Sequence, residues 1–207
     1  MKQKIGWIWM ILGVMIGMIV VCHFFYKCHY KNGNNGNTII SQSTEQKINH
    51  LLNMDSYEAT IQVTIQSNKN KNVYQMDQTY QKDCTYRQEL KEPASIQGMT
   101  VEYQQGKLCI QNTKFNLNKI YEDYPYVTNN QLDLQAFCRD YQTYKGNMEE
   151  SKQEIKLWVE TKQNPYIARK ILRMDKRTGM PKELQIQDVS QNTLVYILYN
   201  KIEIHSE

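Results

Sequence analysis

Apolar and polar residues alternate over most of this chain, and residues 56–66 give the clearest example. Every odd position from Tyr57 to Ile65 in this stretch carries an apolar or aromatic side chain. Successive side chains of a β-strand point to opposite faces of its sheet, so a period of two predicts a strand with one buried face and one hydrated face. The same pattern recurs as far as His205 and predicts about nine strands joined by short hairpins.

Two segments follow the helical period instead. The first runs from Ser43 to Asn53, where Ser43 and Gln46 have the spacing of a capping box. The second is expected to begin at Asn130 and to end at Gly146. The apolar positions with helical spacing are Ile48, Leu51 and Leu52 in the first segment, and Leu134, Phe137, Cys138 and Tyr141 in the second.

Helices inserted among antiparallel strands, rather than alternating with them, indicate an α+β fold. A sheet of about nine strands usually curls, and helices then cover its concave face. We therefore predict one large curved antiparallel sheet, a half-barrel, with both helices packed on the concave side.

Residues 5–26 are almost entirely apolar, and a helix that spans a bilayer needs about 20 such residues. Lys2 and Lys4 precede this run, which favours an N-terminus inside the cell and the rest of the chain outside. A cleaved signal peptide is the alternative, but its apolar region is shorter, about 7–15 residues, and a small residue precedes its cleavage site. We predict an uncleaved membrane anchor at residues 1–30, a linker rich in asparagine and glycine at 31–42, and an extracytoplasmic domain at 43–207.

The charge of the exported part argues against a nucleic-acid partner. The chain has 25 basic and 21 acidic residues. Lys2, Lys4 and Lys27 fall in the anchor, which leaves 22 basic residues against 21 acidic ones in the rest. A protein that binds the phosphate backbone would show a basic patch or stripe, and no cluster of lysine or arginine stands out here.

No metal, cofactor or catalytic constellation is predicted. The five cysteines form no CxxC pair and the four histidines are scattered, so zinc-binding spacing is absent. A disulfide between Cys84 and Cys109 stays open as an alternative to free thiols. The charged residues Arg87, Glu89 and Glu92 are interpreted as a solvated strand face. A hydrolase is the weakest of the functions considered, and we expect no enzymatic activity.

Tyrosine is the residue type that points to binding. The chain has 15 tyrosines and four phenylalanines, and tyrosine is enriched where an apolar surface meets water, as at protein interfaces. Tyr121, Tyr124 and Tyr126 surround a proline, and we predict that they contact a partner or else cover the open end of the sheet. Another set could line a ligand cavity or simply belong to the core: Met76, Met99 and Trp158.

Several stretches resemble the lipoprotein-carrier protein LolA and its fold family. They are an N-terminal helix before the first long strand, an aromatic strand that ends in proline (residues 86–93), a glycine-lysine hairpin (99–108), and a closing meander (168–174 and 184–188). This resemblance implies a concave face that carries a lipid or a lipoprotein.

Two stretches are more similar to the GerS-like group of spore-germination lipoproteins, which shares that fold: residues 121–126 and 195–200. That resemblance implies a non-enzymatic protein that binds and activates a cortex amidase, an N-acetylmuramoyl-L-alanine amidase, outside the membrane. Val21 stands where a lipoprotein has a small residue before the lipidated cysteine, which argues against lipidation of Cys22. Lys82-Asp83 replaces the carriers' basic residue and proline, which weakens the lipid or lipoprotein carrier as the alternative function.

Overall fold

The computed structural model describes residues 43–67, 69–82, 85–122 and 132–206, with the side chains of 162–164 excepted. The predicted anchor and linker, and the predicted contact residues Tyr124 and Tyr126, lie outside these ranges. In the ranges that are described, no helix is long and apolar enough to cross a membrane.

The described part of the chain holds eleven strands and two α-helices. The helices are α1 (Thr44–Leu52) and α2 (Leu134–Thr143), and a short 3₁₀ helix covers Thr113–Phe115. The strands are β1 (Ser56–Gln66), β2 (Lys71–Gln81), β3 (Thr85–Glu92), β4 (Thr100–Gln104), β5 (Lys107–Asn112), β6 (Leu117–Tyr121), β7 (Asn147–Glu150), β8 (Glu154–Asn164), β9 (Ile167–Asp175), β10 (Pro181–Gln187) and β11 (Thr193–His205).

All eleven strands form one antiparallel sheet in the order β6-β5-β4-β3-β2-β1-β11-β10-β9-β8-β7. The order consists of two meanders, β1 to β6 and β7 to β11, and the connection between them carries α2. The meanders join where the first strand pairs with the last, from Ser56 opposite His205 to Ile65 opposite Val195. The predicted α+β class with a large antiparallel sheet is confirmed.

Strand β1 follows its predicted alternation closely. Tyr57, Ala59, Ile61 and Val63 are buried, while the residues between them are half-buried or exposed. The register of β1 against β11 shifts at a bulge between Thr60 and Ile61. One face of this strand therefore belongs to the core and the other meets solvent.

The core lies on the helix-bearing face of the sheet. The capping box of α1 is confirmed, since Ser43 Oγ accepts from the N–H of Gln46 and Gln46 Oε1 accepts from the N–H of Ser43. The apolar stripes of α1 and α2 pack against β1, β2 and β8–β11. Among the described residues, none from β3–β6 belongs to this core; we call β3–β6 the wing.

Two turns match their sequence signals. Gln105 and Gly106 both have a positive φ, 50° and 84°, in the tight hairpin between β4 and β5. Gly179 has a φ of 75°, and a Cβ atom there would stand 2.9 Å from the Lys47 side chain of α1. Glycine thus permits both the left-handed turn and the close approach of the helix.

The structure corrects the predicted start of α2 and adds two strands. Asp133, not Asn130, is the N-cap, because its side chain accepts from the N–H of Gln135. The added strands β6 and β7 are the two edges of the described sheet. Most of their residues are exposed, so neither strand shows the alternation that a half-buried strand requires.

A buried ion pair joins α2 to the sheet. Lys170 of β9 and Asp140 of α2 approach to 2.5 Å (Nζ to Oδ2), and their side chains are 1% and 6% exposed. Desolvation lowers the pKa of Lys170, while the bond to Asp140 opposes that shift. The charged pair is therefore stable in this interior only while both partners are present.

We expect Asp140→Ala to destabilise the fold by about 3–5 kcal/mol, because it leaves the Lys170 charge buried without its carboxylate. The double replacement Asp140→Leu with Lys170→Met should recover most of this loss, since it removes both charges. Urea unfolding of residues 43–207 measures both effects. Lys201→Ala, which breaks a solvent-exposed pair with Glu203, is the control and should change little; a double variant as unstable as the single one would contradict the prediction.

Candidate functional site

Five tyrosines form one row across the helix-bearing face of the sheet. The register places Tyr57 opposite Tyr80, Tyr80 opposite Tyr86, and Tyr86 opposite Tyr103. Leu108 continues the row between Tyr103 and the last member, Tyr121. Residues directly opposite each other in neighbouring strands share a face, so this tyrosine row crosses six strands from β1 to β6.

The two ends of the tyrosine row differ in exposure. Tyr57 is fully buried, and its ring stacks on that of Tyr80 with centroids 5.7 Å apart. Tyr80 and Tyr103 are half-buried, Tyr86 is 5% exposed, and Tyr121 at the edge strand is 46% exposed. The row thus brings an aromatic surface from the interior to solvent.

A polar network holds the inner end of the tyrosine row. The Tyr57 hydroxyl donates to Asp133 Oδ1 at 2.8 Å and lies 3.3 Å from Gln78 Oε1. Gln78 Nε2 donates to the Tyr86 hydroxyl at 3.1 Å and to the carbonyl oxygen of Leu132 at 3.0 Å. These bonds hold Leu132 and Asp133, the two residues just before α2, against β1, β2 and β3.

Burial dominates the electrostatics of this network. It raises the pKa of Asp133 to about 6, although hydrogen bonds from the N–H of Gln135 and the Tyr57 hydroxyl favour the charged form. Burial likewise raises the pKa of Tyr57 far above its ordinary value, and the neighbouring Asp133 carboxylate adds to the shift. The tyrosine therefore stays a neutral hydrogen-bond donor, and the aspartate is the member that titrates.

The wing carries the outer part of the tyrosine row on a face outside the core. Leu90, Val101 and Ile110 lie on this face and are half-buried. Gln88 lies among them at 5% exposure, and its Nε2 finds no hydrogen-bond partner in the part of the chain that the structure describes. The wing face is thus mixed: apolar and aromatic side chains surround a buried amide.

The opposite, outer face of the sheet holds an open groove of ≈ 340 Å³. Most of its lining is charged or hydroxylic and comes from β1, β2, β3 and β11. Arg87 pairs with Glu89 at 3.5 Å and with Glu102 at 3.1 Å, and these side chains are a third or more exposed. Such pairs fit the interpretation of Arg87 and Glu89 as a solvated strand face.

The structure places two of the predicted cavity residues, Met76 and Trp158, on opposite faces of the sheet. Met76 is buried in the core at 4% exposure, and Met99 is half-buried just before β4. Trp158 lies on the outer face, since its neighbours Leu157 and Val159 belong to the core. The Trp158 ring contacts two cations there: Lys156 at 5.3 Å and Arg169 at 5.9 Å from its centroid. Met76 and Trp158 therefore do not come together on one face.

Of the predicted contact residues, Tyr121 lies at the exposed end of the tyrosine row. Sequence reasoning missed Gln78 and Asp133, which hold the row in place. A signal for Gln78 existed, because it interrupts the apolar positions of β2 between Met76 and Tyr80. Cys109 and Cys138 have free thiols, and no group of three or more potential metal ligands occurs among the described residues.

Comparison with known proteins gives a family and a fold. A family model described as sporulation protein YdcC-like matches residues 8–207. No curated protein matches the sequence. An uncharacterized conserved protein from Thermus thermophilus is similar in structure with a TM-score of 0.51 and 12% identity, over 80% of this chain and 90% of that one. At this identity the likeness shows a shared fold and no more.

Two further solved structures are similar at lower scores. A chain in the structure of the CwlD amidase from Clostridioides difficile in complex with the GerS lipoprotein has a TM-score of 0.45 and 20% identity, over 80% of this chain and 95% of that one. A LolA superfamily protein from Nitrosomonas europaea has a TM-score of 0.42 and 11% identity, with the same two coverages.

Titration of Asp133 predicts a pH-dependent stability. The folded-state pKa of about 6 lies above the ordinary value of 3.8, so the folded protein binds more protons between these values. Its free energy of unfolding therefore falls as pH rises from about 4 to about 6. Asp133→Asn can still cap α2 but does not titrate. As the pH falls from 7 to 4, the free energy of unfolding of the wild type should rise by up to about 3 kcal/mol relative to that of this variant.

Urea unfolding of both proteins across this pH range measures the difference. Asp175→Asn is the matched control, because hydrogen bonds, chiefly from the backbone of Thr178, lower the pKa of Asp175 to about 2. A lowered pKa gives stability that is lost only as the pH falls below about 4. The difference in free energy of unfolding between the wild type and this control should therefore stay constant from pH 7 to pH 4. If the difference for Asp133→Asn is constant as well, Asp133 does not titrate as predicted.

Proposed function

The chain belongs to the YdcC-like family of sporulation proteins, and we propose that it is a non-enzymatic binding protein anchored in the cell membrane. Its domain at residues 43–207 acts outside the cytoplasm. The partner is a protein there, an N-acetylmuramoyl-L-alanine amidase of the spore cortex, which the chain binds and activates in sporulation and germination.

The observation that carries this proposal is the exposed end of the tyrosine row. Tyr121 is 46% exposed, and two other large apolar side chains of this edge are 54% and 59% exposed: Phe115 in the turn before β6 and Ile120 within the strand. Tyrosine is among the residues that contribute most to binding at protein interfaces, and its ring combines apolar area with a polar tip. A binding role uses such a surface directly, whereas catalysis would need convergent polar groups in a cleft.

The choice of partner rests on the family and on the sequence resemblance. Membership of a sporulation family supports a role in sporulation. Residues 121–126 and 195–200 resemble the GerS-like group, whose implied role is to activate a cortex amidase. Residues 121 and 122 of the first stretch continue the exposed end of β6, so the similar stretch and the exposed surface coincide.

The proposed location follows from the sequence of residues 1–30. Its apolar run is long enough for a single membrane span, and the lysines that precede it favour an internal N-terminus. The linker at 31–42 would then release the sheet domain on the outer side, where a cell-wall enzyme is accessible.

A lipid or lipoprotein carrier is the second candidate, and the wing face favours it. Leu90, Val101 and Ile110 are half-buried there rather than packed in the core. Acyl chains that co-purify with the domain, detected by native mass spectrometry, would support this function. A domain that binds no lipid from vesicles of membrane phospholipid would exclude it.

We expect Tyr121→Ala to weaken binding of the domain to the amidase by about tenfold or more, because tyrosine is enriched among the interface residues whose truncation costs about 2 kcal/mol or more. Titration calorimetry with residues 40–207 and the cognate amidase measures the affinity. Tyr166→Ala is the control, since Tyr166 is 72% exposed in the turn between β8 and β9, in the other half of the sheet. A domain that changes neither the activity nor the stability of the amidase would rule out the activating role.

A further inference from the structure

We propose that the edge strand β6 accepts an extended segment of the partner as an additional antiparallel strand, and that Lys119 selects a segment with an acidic residue opposite it. This inference rests on the proposed binding function and names the kind of surface that the partner presents. It follows from a comparison of the two edges of the sheet and from the charges around β6.

The edge at β7 offers an incoming strand no unpaired charge. The strand has four residues, and both of its glutamates already form ion pairs within the domain. Glu149 pairs with Lys156 at 3.4 Å, and Glu150 pairs with Lys176 at 2.8 Å. A charged segment of a partner would therefore find no free countercharge on this strand.

The edge at β6 is open by comparison. Among the strands that the structure describes, β6 pairs with β5 alone. Every second residue of an edge strand directs its N–H and C=O away from the sheet, where another chain can pair with them. Four of its five residues are exposed, including Ile120 at 59%. An added strand would therefore gain both backbone hydrogen bonds and apolar contacts.

The charge at this edge is positive, and the residues that the structure describes leave it without a countercharge. Lys119 in β6 and Lys114 in the preceding turn are exposed, and neither forms an ion pair with any residue that the structure describes. Lys107 nearby is already paired with Glu122 at 3.1 Å. A carboxylate opposite Lys119 would complete a cross-strand pair of opposite charge, which stabilises a sheet. The complementary segment is thus extended, apolar and acidic.

A second copy of the chain does not satisfy this edge. Antiparallel pairing of two β6 strands over all five residues places Lys119 directly opposite Lys119. Like charges opposite each other destabilise a sheet, and lysine on an edge strand discourages self-pairing. The same side chain therefore disfavours self-association and favours an acidic partner.

Hydrogen exchange tests the proposal on the full chain in detergent micelles. The probe is an end-capped peptide of alternating valine and threonine with one central glutamate, and its control has lysine in place of the glutamate. The glutamate peptide should slow exchange of the amides at 117–121, with an affinity about three- to tenfold above that of the lysine peptide. Lys119→Glu should reverse this preference.

Lys71→Glu makes the same charge change at an exposed lysine of β2 and should leave the preference unaltered. Three results would overturn the proposal: no slowed exchange at 117–121, equal affinity for both peptides, or an equal effect of Lys71→Glu. Because the peptides replace the amidase, a failure here is distinct from a failure of the chain to bind that enzyme.

Self-association tests the role of Lys119 separately. In sedimentation experiments, Lys119→Val should dimerise more strongly than the wild type. An unchanged mass would contradict the role of Lys119 in preventing self-pairing.

Discussion

The pairing of β1 with β11 is the constraint on which the rest of the structure depends. It joins the first strand of the domain to the last and thereby unites two meanders that each fold from consecutive hairpins. Because side chains alternate with a period of two, this one register decides which residues of both meanders face the helices. Tyr57 and Ile61 enter the core together with Ile204 and Ile197 only in this alignment.

The position of the helices divides the sheet into a core half and a wing. Both helices pack over the strands near the β1–β11 junction and over β8, so the core covers only part of the helix-bearing face. The tyrosine row crosses this division. Its inner end is fixed by Asp133 and Gln78, and its outer end reaches solvent at Tyr121. A surface built on paired strands loses little conformational freedom on binding, which makes the outer wing suitable for recognition.

The sequence predicted the parts of the fold that a single buried face determines. The alternation of β1 and the capping box of α1 were readable because each depends on local spacing. The edge strands β6 and β7 were not, since exposed residues on both faces leave no periodic signal. The start of α2 was misplaced because asparagine and aspartate are both good N-caps, and the contact of Asp133 with Tyr57 joins residues too far apart in sequence to be read from local spacing.

The tyrosine row shows why the candidate site was only partly predictable. Each of its members lies in a different strand, so the alignment of the row depends on the register of every hairpin between β1 and β6. Tyr121 could be selected from the abundance of tyrosine, but its alignment with Tyr103 through Leu108 depends on how β4, β5 and β6 pair. The alternation of side chains between the two faces of a strand also explains why Met76 and Trp158 do not meet. Met76 points to the core face of β2, while Trp158 alternates with the core residues of β8 and so points to the other face. Burial therefore follows from the alternation along each strand, and the exposure of Tyr121 follows from its place on the edge strand, outside the core.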